Sequence, residues 1–197
     1  MQSRSTGTTV SAGSSTKDAI RDAALELFRA KGFEQTSLRE VADVVGITKA
    51  SLYYHYASKQ DLLGAIIDPI IEHMRSMAAE VDGIRWSGAS VRTVLRDYLR
   101  GIVRHRHAGA LLLRDTVAII NALNDRYPDW VDSTEQLRGW LAGPVPTDES
   151  KLRAVAALEV ITVALVSTEY APGAPDELVE GILLDCAVTV LDGFADR

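Results

Sequence analysis

The chain has 197 residues, 47% of them apolar and 24% charged, a mix that suits one medium domain, or a small domain joined to a larger one, and excludes a disordered or fibrous chain. Its net charge of −6 argues against a protein that coats nucleic acid by bulk attraction. The charge is divided unevenly: residues 1–64 hold eight Lys/Arg and seven Asp/Glu, net +1, whereas residues 65–197 hold thirteen and twenty, net −7.

Residues 1–16 are mostly Ser, Thr and Gly, with no apolar segment for a secretion apparatus to read, so a frayed N-terminal arm on a cytoplasmic protein is expected. Apolar spacing is helical nearly everywhere after that. A first helix is predicted from Thr16, taken as its N-cap, to Lys31, with Ile20, Ala24, Leu27 and Phe28 on one face and Gly32 closing it. A second begins at Ser37, whose hydroxyl and the Glu40 carboxylate make a capping box, and buries Leu38, Val41, Ala42 and Val45 before Gly46 stops it. Thr48 caps a third helix of barely two turns ending near Tyr56, with Leu52 and Tyr56 pointing inward. Ser58 caps a fourth that runs toward Val81, bent near 65–69 by Pro69, which removes a backbone donor.

Five further helical segments are predicted at 90–106, 108–125, 129–142, 151–170 and 175–195, punctuated by Pro144, Pro146, Pro172 and Pro175. The run 160–168 is the longest uncharged stretch toward the C-terminus, far short of the roughly 20 apolar residues that cross a bilayer. The single cysteine, Cys186, can form neither an internal disulfide nor a zinc site alone, and its apolar surroundings in sequence predict a small core residue.

Three short helices with a tight Gly46-Ile47-Thr48 turn between the second and third have the spacing of a helix-turn-helix, whose third helix reads a duplex. The window 44–60 contains no acid, yet carries Lys49, His55, Lys59 and the hydroxyls of Thr48, Ser51, Tyr53, Tyr54, Tyr56 and Ser58. Such a face donates hydrogen bonds without repelling phosphate. With Leu52 and Tyr56 inward, helical geometry turns Lys49, Ala50, Ser51, Tyr53, Tyr54 and His55 outward.

The segments Phe33-Glu-Gln-Thr-Ser-Leu-Arg-Glu-Val-Ala and Gly46-Ile-Thr-Lys-Ala-Ser-Leu-Tyr-Tyr-His-Tyr-Ala-Ser-Lys59 resemble the TetR-type transcriptional regulators. The resemblance spans about residues 17–64, with Tyr56 where that family usually has Phe. It implies that Thr48, Lys49, Ala50, Ser51, Tyr53, Tyr54 and His55 sit in or over the major groove and that Lys59 touches a phosphate. Independently, Lys59 lies at the first position of a helix whose free N–H groups favour an anion, and Thr36 and Ser37 are placed to anchor the flanking backbone. Lys49 suits guanine O6 and N7, and Ala50 or Ser51 suits a thymine methyl or base edge.

The fold class expected is therefore all-α: an arm at 1–16, a three-helix helix-turn-helix DNA-binding domain at 17–64, and a larger helical effector-binding and dimerisation domain at 65–197. Helices 151–170 and 175–195 are too apolar to be hidden by one face each, and so predict a homodimer through a four-helix bundle, as the resemblance also implies. Such a dimer reads two half-sites of a palindromic or pseudo-palindromic operator in double-stranded DNA. The resemblance further implies a small-molecule effector pocket among the middle helices, for which Tyr98, Thr116, Glu159 and Thr162 are the polar groups set in apolar stripes. Arg92, Arg96, Arg100 and Arg104 form a basic ridge every four residues, without an assigned task. No cofactor, metal spacing, nucleophile with a base, or phosphate-binding glycine loop is evident, so no enzyme is expected. The function expected is a ligand-released repressor; a helical protein-interaction module, or a small-molecule-binding protein without DNA regulation, is the alternative.

Overall fold

The computed structural model describes residues 15–114, 119, 126–128 and 130–192. It is all-helical across them. The helices are α1 (Thr16–Lys31), α2 (Leu38–Val45), α3 (Lys49–His55), α4 (Lys59–Val81), α5 (Gly88–Arg104), α6 (Arg106–Arg114), α7 (Trp130–Leu141), α8 (Asp148–Tyr170) and α9 (Asp176–Asp192). Among the described residues no helix is long and apolar enough to cross a membrane.

Caps set most of the boundaries. Ser15, one residue before the expected start, caps α1 in a reciprocal box with Asp18, and Ser37 does the same for α2 with Glu40. Gly46 ends α2 in the left-handed region at φ 76°, donating to Ala42 O, a conformation that costs a side chain with a Cβ about 1 kcal/mol or more. Thr48 and Ser58 then cap α3 and α4 by accepting from the amides of Ser51 and Asp61. Proline does not break α4, which runs as one helix through Pro69. Helices α5 and α8 begin earlier than their apolar patterns suggest, because Ser87 pairs with Ser90 and Thr147 with Ser150 in capping boxes whose second member is a serine. The part of the predicted helix 108–125 beyond Arg114, and residues 193–195 of the last predicted helix, lie outside the described residues apart from Ile119.

Helices α1 to α3 and the first turns of α4 enclose a small core of Ile20, Ala24, Phe28, Phe33, Val41, Leu52, Leu62 and Leu63. Phe28 and Phe33 meet edge to face with ring centroids 5.2 Å apart, worth about 0.5–1.5 kcal/mol beyond their burial. The C-terminal body packs α5, α8 and α9 together and sets α7 against α4. The arginine ridge of α5 lies along its seam with α9: Arg92 reaches Asp185 at 2.7 Å and Arg100 reaches Glu180 at 3.2 Å. Arg106, at the start of α6, continues the seam to Asp176 at 2.9 Å. The core position expected for Cys186 is corrected. It is exposed, because α9 buries Val179, Leu184 and Ala187 and Cys186 lies off that face. An apolar stripe stays open on the same side of the body, through Leu152, Val155, Val163 and Tyr170 of α8 and Leu178 and Ile182 of α9.

Candidate nucleic-acid interface

In the head, α3 packs on α2. Leu52 is fully buried and Tyr56 nearly so, and these two anchors fix the rotation of α3 about its axis. Its other side is thereby turned to solvent: Thr48, Lys49 and Ala50 are exposed, Ser51 and His55 half-buried, Tyr53 exposed, and Tyr54 88% exposed. A tyrosine that open is unusual, since its ring carries a large apolar area that would normally find cover. Tyr54 and His55 meet edge to face at 5.4 Å, and the Lys49 ammonium lies 5.4 Å from the Tyr53 ring centroid. The face thus holds a cation, two phenols and an imidazole within two turns, with no carboxylate on α3 itself.

Behind that face the polar groups are tied down. Tyr56 OH donates to Lys17 O at 3.5 Å, and burial first of all pushes its phenol pKa up. Ser37 accepts from Glu40 N at 3.3 Å and donates to the Glu40 carboxylate at 2.9 Å. Glu40 is held at about pKa 2 by its hydrogen bond from Lys31 and then by those from Ser37. Thr36 is 2% exposed and donates to Gly32 O at 2.9 Å, so its hydroxyl faces into the head and secures the α1–α2 turn. Lys59 Nζ donates to Phe33 O at 2.9 Å and Glu34 O at 3.2 Å and lies 4.4 Å from the Phe33 ring centroid. Two of its three protons are thereby directed to the turn, a placement that the spacing Ser58-Lys59 alone does not reveal.

Two exposed cations of the head lie outside the expected set. Arg39, on the outward face of α2, has a side chain 82% exposed and only a 4.0 Å approach to Asp43. Lys17, in the first turn of α1, is exposed and stands 5.6 Å from the Tyr56 ring centroid. The periodicity that buries Leu38, Val41 and Ala42 already implies an outward Arg39.

Residues 20–66 match the family model for bacterial regulatory proteins, tetR family. The head is thus similar to the N-terminal domain of the tetR family of bacterial regulatory proteins. Over 46 residues the chain is 48% identical to the biofilm operon icaADBC HTH-type negative transcriptional regulator IcaR of Staphylococcus epidermidis and 50% identical to IcaR of Staphylococcus aureus. These matches take in 23% of this chain and 25% of each relative, so the chain spans about a quarter of the length of the curated relatives it matches. Likeness of fold extends much further. AmtR of Mycobacterium smegmatis superposes with a TM-score of 0.74 at 23% identity, over 94% of this chain and 90% of that one. PfmR, a TetR family transcriptional regulator from Thermus thermophilus, gives 0.71 at 21%, over 90% and 99%. The TetR-type fold therefore covers the body as well as the head.

The four residues expected around an effector are not brought together. Tyr98 is buried at 3% exposure, with its ring 6.5 Å from that of His73. Burial drives its phenol pKa far above the usual range, with Arg138 opposing and Glu159 adding a smaller push. Glu159 is exposed on α8, and Thr162 donates to Glu159 O at 2.7 Å. Thr116 lies outside the described residues. Trp140 donates to Ile84 O at 3.1 Å and Trp86 lies over Gly143, so both pin loops of the body. Among the described residues no cluster of three metal-ligating side chains occurs.

Proposed function

We propose that this chain is a ligand-responsive transcriptional regulator of the cytoplasm, a homodimer that represses by occupying a palindromic or pseudo-palindromic operator and leaves it when a small molecule binds. The observation that carries the reading is the outward face of α3, free of acid and held in place by Leu52 and Tyr56 behind a glycine turn, in a head of the TetR family.

Roles follow from donor chemistry. Lys49 reads a base edge, Ala50 and Ser51 meet a thymine methyl or a base edge, and Tyr53, Tyr54, His55 and Thr48 line the groove wall. Ser37 lies at the flank beside the backbone. Lys59 offers its remaining proton to a phosphate while holding the turn, and Arg39 and Lys17 add two further phosphate contacts. A two-turn helix makes few contacts, so tight binding calls for two heads set on half-sites about 34–36 Å apart. The open stripes of α8 and α9 supply the surface that joins two copies, with Leu152, Val163, Leu178 and Ile182 at its centre. Tyr98 is the polar group best placed to meet an effector inside the body: it is buried, with its ring 6.5 Å from that of His73.

Binding to fragments of the source genome, followed by fluorescence anisotropy between about 50 and 200 mM salt, tests the reading. A steep linear fall of log K with log salt, specific to a few fragments, is expected. Failure to retain any fragment at low salt, with or without added metabolite extract, refutes it.

A further inference from the structure

Just below the head, α4 carries a carboxylate on which two residues from the body converge. Asp68 accepts Arg126 Nε at 3.0 Å on one oxygen and Arg126 Nη2 at 2.7 Å on the other, and the Tyr127 hydroxyl donates to the same group. Tyr127 is itself buried. One turn earlier on α4, Gly64 leaves the space in which the Arg126 side chain lies: a Cβ at Gly64 would stand 3.0 Å from Arg126 Nε and 3.1 Å from its Cδ. Gly64 directly follows Leu62 and Leu63, both fully buried. The guanidinium therefore spans from the last buried turn of the head to a carboxylate one turn below it.

Position makes this contact more than a surface ion pair. Pro69 follows Asp68 and has no N–H for the Ala65 carbonyl, so α4 is most easily bent where Arg126 grips it. The Asp68 charge also reaches upward, adding to the upward shift of the phenol of Tyr56, the residue that ends α3. A two-pronged arginine fork fixes direction as well as distance, which a lysine does not.

We propose that Asp68, Arg126 and Tyr127 form a latch that fixes the tilt of the DNA-binding head on the body, and that they are positioning residues for operator binding. The proposal rests on the DNA-binding reading above. It differs from a general role in stability, because loosening it changes where the head points.

The test uses the full chain with Arg126→Lys, which keeps the charge and loses the fork, and with Tyr127→Phe, which removes one hydroxyl. Spin labels at Glu34→Cys on the head and Thr93→Cys on the body, in a Cys186→Ser background and diluted into unlabelled protein, read the head-to-body distance. Both variants are expected to broaden that distribution and to weaken operator binding roughly 2- to 30-fold. The salt slope stays unchanged, since no phosphate contact is lost. Distances as narrow as in the parent, or broadened distances with operator affinity within about twofold of the parent, overturn the latch even when the melting temperature falls. A parent protein that binds no fragment refutes the DNA-binding reading instead, and the distances then decide the latch alone: broadening supports it and its absence overturns it.

Discussion

Replacing Lys59 with methionine keeps the aliphatic stem and removes the ammonium, and so separates holding the head together from gripping DNA. In the free protein the ammonium donates at 2.9 Å to Phe33 O, which is partly buried, and at 3.2 Å to the exposed Glu34 O, and it lies over the Phe33 ring at 4.4 Å. The partly buried bond is worth about 1 kcal/mol and the exposed one a few tenths; the cation–ring contact adds about 0.5–1 kcal/mol at a half-open site. The expected loss is about 2 kcal/mol, which in a chain of this length lowers the melting temperature by roughly 4 to 8 °C. Calorimetry measures that loss without DNA. Anisotropy against salt then measures the second role, because a phosphate contact through the third proton removes about 0.9 from the slope of log K on log salt for each head. A melting temperature unmoved within about 1 °C refutes the clamp. A slope unmoved alongside a lowered melting temperature refutes the phosphate contact and leaves Lys59 a structural residue.

Lys49→Ala should cost about 1–3 kcal/mol of operator affinity and relax preference at one base pair, read by competition with single-position operator variants; a uniform loss across all variants would make Lys49 a phosphate contact instead. Glu40 has its pKa lowered from an ordinary 4.5 to about 2 by Lys31 and the Ser37 cap. Its stabilising effect is therefore complete above pH 4.5 and lost as pH falls toward 2, so Glu40→Gln should flatten the acid limb of urea-unfolding midpoints in that window and leave neutral-pH cooperativity intact. Phe28→Ala should destabilise the head by about 3–5 kcal/mol, since the ring is fully buried, and a shift below about 1 kcal/mol in denaturant unfolding contradicts the packing described. Ile182→Arg places a charge on the open stripe of α9 and should shift sedimentation from dimer to monomer; an unchanged dimer moves the interface elsewhere.

The head was legible from its sequence because each of its helices begins with a hydroxyl cap that names the start and hides a stripe that names the rotation. Ser37 with Glu40, Thr48, and Ser58 with Asp61 each fall where their side chains predict. The starts of α5 and α8 were less legible because a serine in the last place of a capping box resembles any loop serine, although Ser90 and Ser150 close theirs as a carboxylate would. Long-range pairings carried no local signal at all. The α5 arginines look like a solvated face until α9 supplies Asp185 and Glu180 about 80 to 93 residues away. Asp68 and Arg126 are likewise 58 residues apart. Thr36 illustrates the converse: its residue type suits a phosphate anchor, but its carbonyl partners are set by the fold of the turn.

The uneven charge of the chain acquires a meaning from these pairings. A body of net −7 sits behind a head of net +1, and at physiological salt a charge is felt over about 8 Å. Under the proposed docking, phosphates at α3 would meet Lys49 and the other cations of the head first, and acids more than a screening length away would repel them little. Were Arg92, Arg100 and Arg106 free, the body would offer a second cationic strip, and a duplex could lie along it in a register that α3 cannot read. Drawn instead to Asp185, Glu180 and Asp176 at 2.7, 3.2 and 2.9 Å, they hold α9 and the start of α6 in place and surrender most of their pull on phosphate. Breaking one such pair by Asp185→Asn should then cost little stability, because exposed pairs are worth about 0–1 kcal/mol. It should nevertheless raise affinity for random-sequence duplex at low salt more than for the operator, lowering the ratio of specific to non-specific binding. Equal gains on both duplexes would show that the body's charge has no part in discriminating where the protein docks.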